Sequence, residues 1–227
     1  MTISIELNKL SKETSLLIPG PSGTLEVLLA PAPHLTAGKV RLAVICHPHP
    51  LYGGAMTNKV VTTLAKSFKH LGMATLRFNF RGVGKSEGGY GSGEGELDDL
   101  LAVLAWAKAN LTPQELWLAG FSFGAYVSIR AAMQMDFTGL VSVAPPVNHF
   151  PVGSPVIRCP WVVLHGEQDE IVPVGEVEAW VETLDPRPEL VRIPEAEHFF
   201  HGKLGELQDR VVRKCSSLYL APPLPGA

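Results

Sequence analysis

Residues 118–124 read LAGFSFG and contain the pattern Gly-x-Ser-x-Gly, with Ser122 at its centre. An apolar run typical of a strand precedes the pattern, and a segment typical of a helix follows it. A sharp turn from strand to helix presents the serine hydroxyl outward, and glycines two residues to either side remove Cβ clashes between the two elements. The stretch therefore predicts an α/β fold in which Ser122 is a nucleophile.

Strand-like and helix-like segments alternate on both sides of this turn. The predicted strands are 40–46, 73–80, 115–119, 139–144, 161–165 and 189–193, and the helical patterns are about 57–71, 95–109, 123–135, 173–183 and 202–220. Ahead of them, 15–18 and 25–29 read as short strands joined by a turn at 19–23. We therefore expect residues 1–227 to form a single domain. Its mostly parallel central sheet would carry helices on both faces and an N-terminal antiparallel hairpin.

The composition argues against nucleic acid as a partner. The chain has 227 residues, 46% of them hydrophobic, and a formal net charge of −3. The acidic and basic residues are interspersed, and there is no block of lysine and arginine. A chain of this length can bury one sizeable core, and we expect its partner to be a small-molecule substrate.

Cysteine usage and apolar run lengths indicate the compartment. Three cysteines that are far apart in sequence do not form a disulfide framework. Charged residues interrupt the first twenty positions, which argues against a signal peptide, and the apolar runs are too short to span a membrane. We expect a cytoplasmic protein without a membrane contact, and a homodimer is left open.

A second Gly-x-Ser-x-Gly pattern occurs at 84–88, around Ser86. It lies within a glycine-rich loop, 81–95, so neither a strand nor a helix adjoins it directly, and we interpret Ser86 as a loop residue. The end of this pattern also resembles a phosphate-binding loop, but Asn79 stands where that motif needs a glycine. Glu87 likewise replaces the third glycine of a dinucleotide motif. We expect no nucleotide and no other cofactor.

A serine nucleophile needs a base, and the base needs an acid to orient it. In this type of fold the acid follows the serine along the chain and the histidine follows the acid. Asp169 lies between the predicted strand 161–165 and the helix that follows it and is our candidate acid, with Glu167 and Glu170 as less favoured substitutes.

The candidate base is His198, because it is the first histidine after the run 189–193. His201, three residues later, is kept as a less favoured alternative. Because parallel strands carry active sites at their carboxyl ends, the serine, the acid and the histidine are expected to meet at one edge of the sheet.

An oxyanion hole needs two backbone N–H donors. One is expected from Phe123, the residue after the nucleophile, and the other from the loop at 47–54. The prolines in this loop have no N–H, which leaves three candidates, of which we favour the first: His49, Leu51 and Tyr52.

The His47-Pro48-His49 segment could also suggest zinc, since two histidines at this spacing can bind it. No third ligand is evident nearby in sequence, and His198 and His201 do not form a His-Glu-x-x-His motif. We therefore expect no catalytic metal.

From residue 14 onward the sequence resembles the α/β-hydrolase superfamily. Within it, the chain is similar to small, lidless bacterial serine hydrolases related to dienelactone hydrolases. The resemblance is carried by residues 47–54 (HPHPLYGG) with 58–61 (NKVV), by residues 77–86 (RFNFRGVGKS) and by residues 120–124 (GFSFG). It implies a Ser-Asp-His triad that matches Ser122, Asp169 and His198, with the 47–50 loop near the oxyanion hole. Dienelactone hydrolases proper use a cysteine nucleophile, so the serine favours a general esterase.

The spacing after the nucleophile helix predicts an open site. Only residues 147–160 separate Pro146, just after the predicted strand 139–144, from the next predicted strand, which begins at Trp161. A connection of this length is too short for a cap domain. We expect four side chains on this connection to line the pocket: Asn148, His149, Phe150 and Val152. Together these features predict a serine esterase acting on small carboxylic esters. A thioesterase or peptidase with the same triad, and a binding protein without turnover, are the alternatives.

Overall fold

The structure is a computed structural model that describes residues 12–33 and 39–220, with the side chains of the last two left aside. The strands are β1 (Thr14–Gly20), β2 (Gly23–Ala30), β3 (Arg41–Cys46), β4 (Ala74–Phe78), β5 (Glu115–Phe121), β6 (Gly139–Val143), β7 (Trp161–Gly166) and β8 (Glu189–Ile193). The helices are α1 (Lys59–His70), α2 (Glu94–Leu111), α3 (Phe123–Ala132), α4 (Val174–Glu182) and α5 (Leu204–Leu220). The first eleven residues, on which part of the signal-peptide argument rests, lie outside the described residues.

In the described part of the chain, eight strands form one sheet in the order β1-β2-β4-β3-β5-β6-β7-β8. Strand β2 is antiparallel to both β1 and β4. The six strands β3 to β8 are parallel to one another. The predicted mostly parallel sheet with an N-terminal antiparallel hairpin is therefore confirmed. The hairpin turn is tighter than predicted, because Gly20 already pairs with Gly23 and leaves only two residues in the turn.

The strand order reverses at β3, and this reversal positions the functional loops. From β3 the chain first crosses to β4 on one side and later returns to β5 on the other. The carboxyl edge of an open parallel sheet beside such a switch point is the usual place for a ligand. Cys46 pairs with Gly120, so the loop after β3 and the turn at Ser122 begin side by side.

Each face of the sheet carries its own apolar core. Helices α2, α3 and α4 cover one face, where their side chains pack on alternate strand residues such as Val44 and Leu118. Helices α1 and α5 cover the other face, where Ile45 and Ala119 point. Because successive strand residues face opposite sides, both faces of the central strands are buried, which explains their unbroken apolar runs.

The connection between β6 and β7 contains no helix and no strand over residues 147–160, all of which are described. No cap domain is therefore inserted at this point of the chain, as the spacing predicted. Among the described residues, no helix combines the length and the apolar character that crossing a bilayer requires.

Candidate active site

Ser122 occupies a strained turn between β5 and α3. Its φ of 52° and ψ of −122° lie in a region that residues with a side chain rarely adopt, at a cost of about 1–3 kcal/mol. Its N–H donates to the carbonyl oxygen of Val143 at 2.9 Å, which ties the turn to β6. The backbone therefore holds the hydroxyl outward at the carboxyl edge of the sheet.

The two glycines of the pattern are required by close backbone approaches. A Cβ on Gly120 would lie 2.2 Å from the carbonyl oxygen of Gly124. A Cβ on Gly124 would lie 2.4 Å from the carbonyl oxygen of Cys46. Both distances are far below van der Waals contact, so only glycine lets the turn close against itself and against β3.

Ser122, His198 and Asp169 are connected by hydrogen bonds. The Nε2 atom of His198 lies 3.1 Å from the Ser122 hydroxyl, and its Nδ1 atom lies 2.8 Å from Oδ2 of Asp169. The sequence predicted that these three residues would meet at one edge of the sheet, and the structure places them there. With Nδ1–H donating to the carboxylate, Nε2 is left free to accept the hydroxyl proton.

Asp169 is almost completely buried and is fixed by the backbone that follows it. Its Oδ1 atom accepts the N–H groups of Ile171 at 3.0 Å and Val172 at 2.8 Å. Burial raises the pKa of Asp169, but the hydrogen bond and charge of His198 and the N–H of Val172 outweigh it, so the pKa lies below its usual value. The carboxyl group is therefore held in its ionised form.

The less favoured acids and base lie elsewhere. Glu167 is exposed, 3.8 Å from Arg192, and Glu170 is exposed with a carboxylate oxygen 3.5 Å from the backbone N–H of His198. His201 is also exposed and pairs with Glu197 at 2.5 Å. The structure thus brings Asp169 and His198, rather than these alternatives, to the serine.

The backbone donors next to Ser122 can be sorted by the bonds they already make. The N–H of Leu51 donates to Nδ1 of His49 at 3.2 Å, and the N–H of Tyr52 donates to the His49 carbonyl oxygen at 3.1 Å. In the described part of the chain, no protein acceptor takes the N–H of His49 or of Phe123. These two N–H groups are therefore the ones available to a ligand.

His47 and His49 have separate environments. The buried ring of His47 donates from Nδ1 to the Pro48 carbonyl oxygen at 2.6 Å and accepts the N–H of Phe80 on Nε2 at 3.0 Å. Burial lowers the pKa of His47 to about 4, so the ring is neutral and both its nitrogens are occupied. Across the described ranges, no group of three or more histidine, cysteine or acidic side chains is placed to hold a metal ion.

Ser86, the centre of the second glycine pattern, is a buried structural residue. Its hydroxyl donates to the Asn79 carbonyl oxygen at 2.7 Å and accepts the N–H of Glu26 at 2.9 Å. The Asn79 side chain in turn accepts the N–H of Met56 at 2.8 Å and donates to Glu26 at 2.8 Å. The 81–95 loop therefore ties β2 and β4 to the segment that follows residues 47–54.

A pocket of about 520 Å³ opens onto Ser122. Two of the four side chains predicted to line it do so, His149 and Phe150. The Asn148 side chain instead donates to the Ile171 carbonyl oxygen, and Val152 packs against the core. The sequence placed the 47–54 loop beside the serine but did not identify four further residues of the pocket wall: Asn58, Pro146, Ile171 and Phe199.

Comparison with known proteins identifies the family and the fold of the chain. Residues 43–156 match the family model described as serine aminopeptidase, S33. A solved α/β serine hydrolase homologue from Coxiella burnetii is 46% identical, covers 90% of this chain and 98% of its own, and has a TM-score of 0.84. A serine hydrolase without a lid from Xanthomonas campestris is 42% identical, with coverages of 94% and 98% and a TM-score of 0.86.

A dienelactone hydrolase from Anabaena variabilis is more distant. It is 18% identical, covers 91% of this chain and 97% of its own, and has a TM-score of 0.74. At that identity the likeness concerns the fold alone. Together, these similarities confirm the predicted fold and the predicted resemblance to the α/β-hydrolase superfamily.

Proposed function

The chain belongs to the α/β-hydrolase superfamily, among its serine hydrolases, and from this premise we propose that it cleaves small carboxylic esters. One observation carries the proposal. Ser122, His198 and Asp169 form a continuous hydrogen-bonded chain, and its serine end faces an open pocket. Nucleophile, base and orienting acid are thus in reach of a ligand in that pocket.

In the proposed acylation step, the Ser122 oxygen attacks the ester carbonyl carbon while its proton passes to Nε2 of His198. Asp169 stabilises the imidazolium that forms, since its Oδ2 atom already accepts the Nδ1 proton. The carbonyl oxygen becomes an oxyanion, and we assign the N–H groups of Phe123 and His49 as its donors. When the tetrahedral intermediate collapses, His198 returns the proton to the leaving alcohol.

Deacylation repeats the same proton transfers with water as the nucleophile. His198 removes a proton from the attacking water, and the second tetrahedral intermediate uses the same two N–H donors. Collapse breaks the bond to Ser122, returns the proton to the serine oxygen and releases the carboxylic acid. In both steps only Ser122 and His198 change their protonation state, and Asp169 stays ionised.

The pocket favours an ester over the N-terminal peptide bond suggested by the description of the family model. An aminopeptidase has to bind an α-ammonium group, which calls for an acidic side chain beside the scissile bond. Within the described part of the chain, the pocket is lined by no aspartate and no glutamate. A thioester carries no such charge, so a thioesterase remains the second candidate and is compared directly below.

We expect the purified protein to hydrolyse p-nitrophenyl esters of short and medium chain length faster than the matching thioesters and than aminoacyl p-nitroanilides. Rates are read from p-nitrophenol, thiol or p-nitroaniline release. A fluorophosphonate probe is expected to label the folded protein once, at Ser122, as located by peptide mass spectrometry. A folded protein that neither turns over esters nor reacts with the probe would make it a binding protein and overturn the proposal.

A further inference from the structure

We infer that the part of the substrate that fills the pocket is uncharged, so that the proposed esterase rejects esters whose acyl chain ends in a carboxylate. This inference rests on the proposed function and specifies its substrate class. Three observations support the inference. They concern the pocket walls, the histidines in those walls and the acids near the site.

The pocket walls are apolar and offer no permanent cation. Aromatic and aliphatic side chains from four separate loops form most of the surface, among them Tyr52, Phe150, Ile171 and Phe199. Within residues 12–33 and 39–220, no lysine and no arginine contributes to the lining. A carboxylate that enters this pocket loses water without gaining an ion-pair partner, which strongly disfavours binding.

Three histidines lie in the described lining of the pocket, and two of them make side-chain hydrogen bonds to other residues. His49 accepts the N–H of Leu51 on Nδ1, so its other nitrogen carries the proton and donates to the Tyr90 hydroxyl at 3.1 Å. Burial lowers the pKa of His49 against the opposing effect of Glu96, which is consistent with a neutral ring. His198 is held between Asp169 and Ser122. His149 lies exposed in the lining, away from the triad's hydrogen bonds.

Carboxyl groups surround the site. Asp169 lies directly behind His198, and Glu170 lies 3.5 Å from the His198 backbone N–H. The fully buried Glu96, which accepts the N–H groups of Gly91 and Gly93, is close enough to His49 to act on its pKa. None of these acids lines the pocket, and a carboxylate bound there gains no attraction from them.

The test compares p-nitrophenyl hexanoate with the mono-p-nitrophenyl ester of adipic acid, which differs only in a carboxylate at the chain end. We expect kcat/KM for the hexanoate to exceed that for the adipate by about 100-fold at pH 8. The neutral methyl p-nitrophenyl adipate controls for length and should react within about tenfold of the hexanoate. Rates from the Ser122→Ala variant give the background.

Two variants at Tyr52 test the charge directly. The Tyr52 side chain lines the pocket and is 86% exposed, and both variants lose the same ring contact with His49, at 4.6 Å between the ring centroids. Tyr52→Arg should shrink the hexanoate-to-adipate ratio at least fivefold, whereas the matched Tyr52→Gln variant should leave it within twofold.

The outcomes separate the two proposals. Hydrolysis of neither neutral ester overturns the proposed function itself. Fast hydrolysis of the hexanoate with a hexanoate-to-adipate ratio below about tenfold overturns the uncharged pocket and leaves the esterase standing. An unchanged ratio in Tyr52→Arg also contradicts the inference, because a new cation at the mouth has to attract the carboxylate if charge is the cause.

Discussion

Replacing Ser122 with alanine should lower kcat for p-nitrophenyl butyrate by about 10⁵–10⁶-fold. The expected loss is this large because the variant retains the pocket and the N–H donors but has no atom that can form the acyl-enzyme. His198 then faces a methyl group where the hydroxyl oxygen lay 3.1 Å away. Fluorophosphonate labelling should disappear together with turnover.

Ser86→Ala is the matched control, because it removes a hydroxyl from the same Gly-x-Ser-x-Gly pattern. The buried Ser86 hydroxyl binds Asn79 and Glu26, so its loss should lower the melting temperature. The folded variant should keep kcat within about threefold of the parent protein and remain labelled at Ser122. Turnover that survives Ser122→Ala and disappears in Ser86→Ala would reverse the assignment of the nucleophile.

Asp169→Asn should lower kcat by about 10⁴-fold while the protein stays folded. The size of this effect follows from the two backbone N–H groups, of Ile171 and Val172, that point at Oδ1. They require an oxygen at that position, so the new amide NH₂ has to face His198 where Oδ2 was. Nδ1 of His198 must then accept, its proton moves to Nε2, and the ring can no longer take the proton of Ser122.

The neighbouring Glu170→Gln variant is the control for this substitution. It also replaces an acid with its amide, but Glu170 is exposed and its carboxylate only approaches the His198 backbone. We expect its kcat to stay within about threefold. Steady-state rates and melting temperatures of both variants are the measurements, and an Asp169→Asn variant within tenfold of the parent would remove Asp169 from the mechanism.

The meeting of Ser122, Asp169 and His198 at one edge of the sheet could be predicted because it follows from the parallel direction of the strands. Ser122, Asp169 and His198 each follow a separate predicted strand, and strands that alternate with helices along the chain form a parallel sheet. Parallel strands all end at the same edge, so three residues far apart in sequence had to meet there. A prediction of this kind needs no knowledge of side-chain packing.

The pocket walls could not be predicted in the same way. Pro146, Ile171 and Phe199 are single apolar residues in loops, and such residues are common on any protein surface. A loop has no fixed periodicity, so its sequence does not tell which way a side chain points. His47 and His49 are an example, since only one proline separates them in sequence. The His47 ring lies in the buried interior, whereas the His49 ring lies in the pocket wall.

Long-range hydrogen bonds are a second limit. Local context was enough to interpret Ser86 as a loop residue, since no strand or helix adjoins its glycine pattern. Its actual partners are a backbone N–H 60 residues away and a carbonyl seven residues away, and both depend on how β2 and β4 pair. Sequence reasoning therefore excluded Ser86 as a nucleophile without finding what it stabilises.

The short connection at 147–160 also affects whether the proposed acyl-enzyme reacts with water or with another acceptor. Enzymes that close over a reactive intermediate protect it from water and can hand the acyl group to another acceptor. Here no inserted domain lies between β6 and β7, and the pocket mouth stays open above Ser122. Bulk water can reach the acyl carbon in every turnover, whereas an acceptor alcohol would have to compete with it. The architecture therefore favours release of the free acid over transfer of the acyl group.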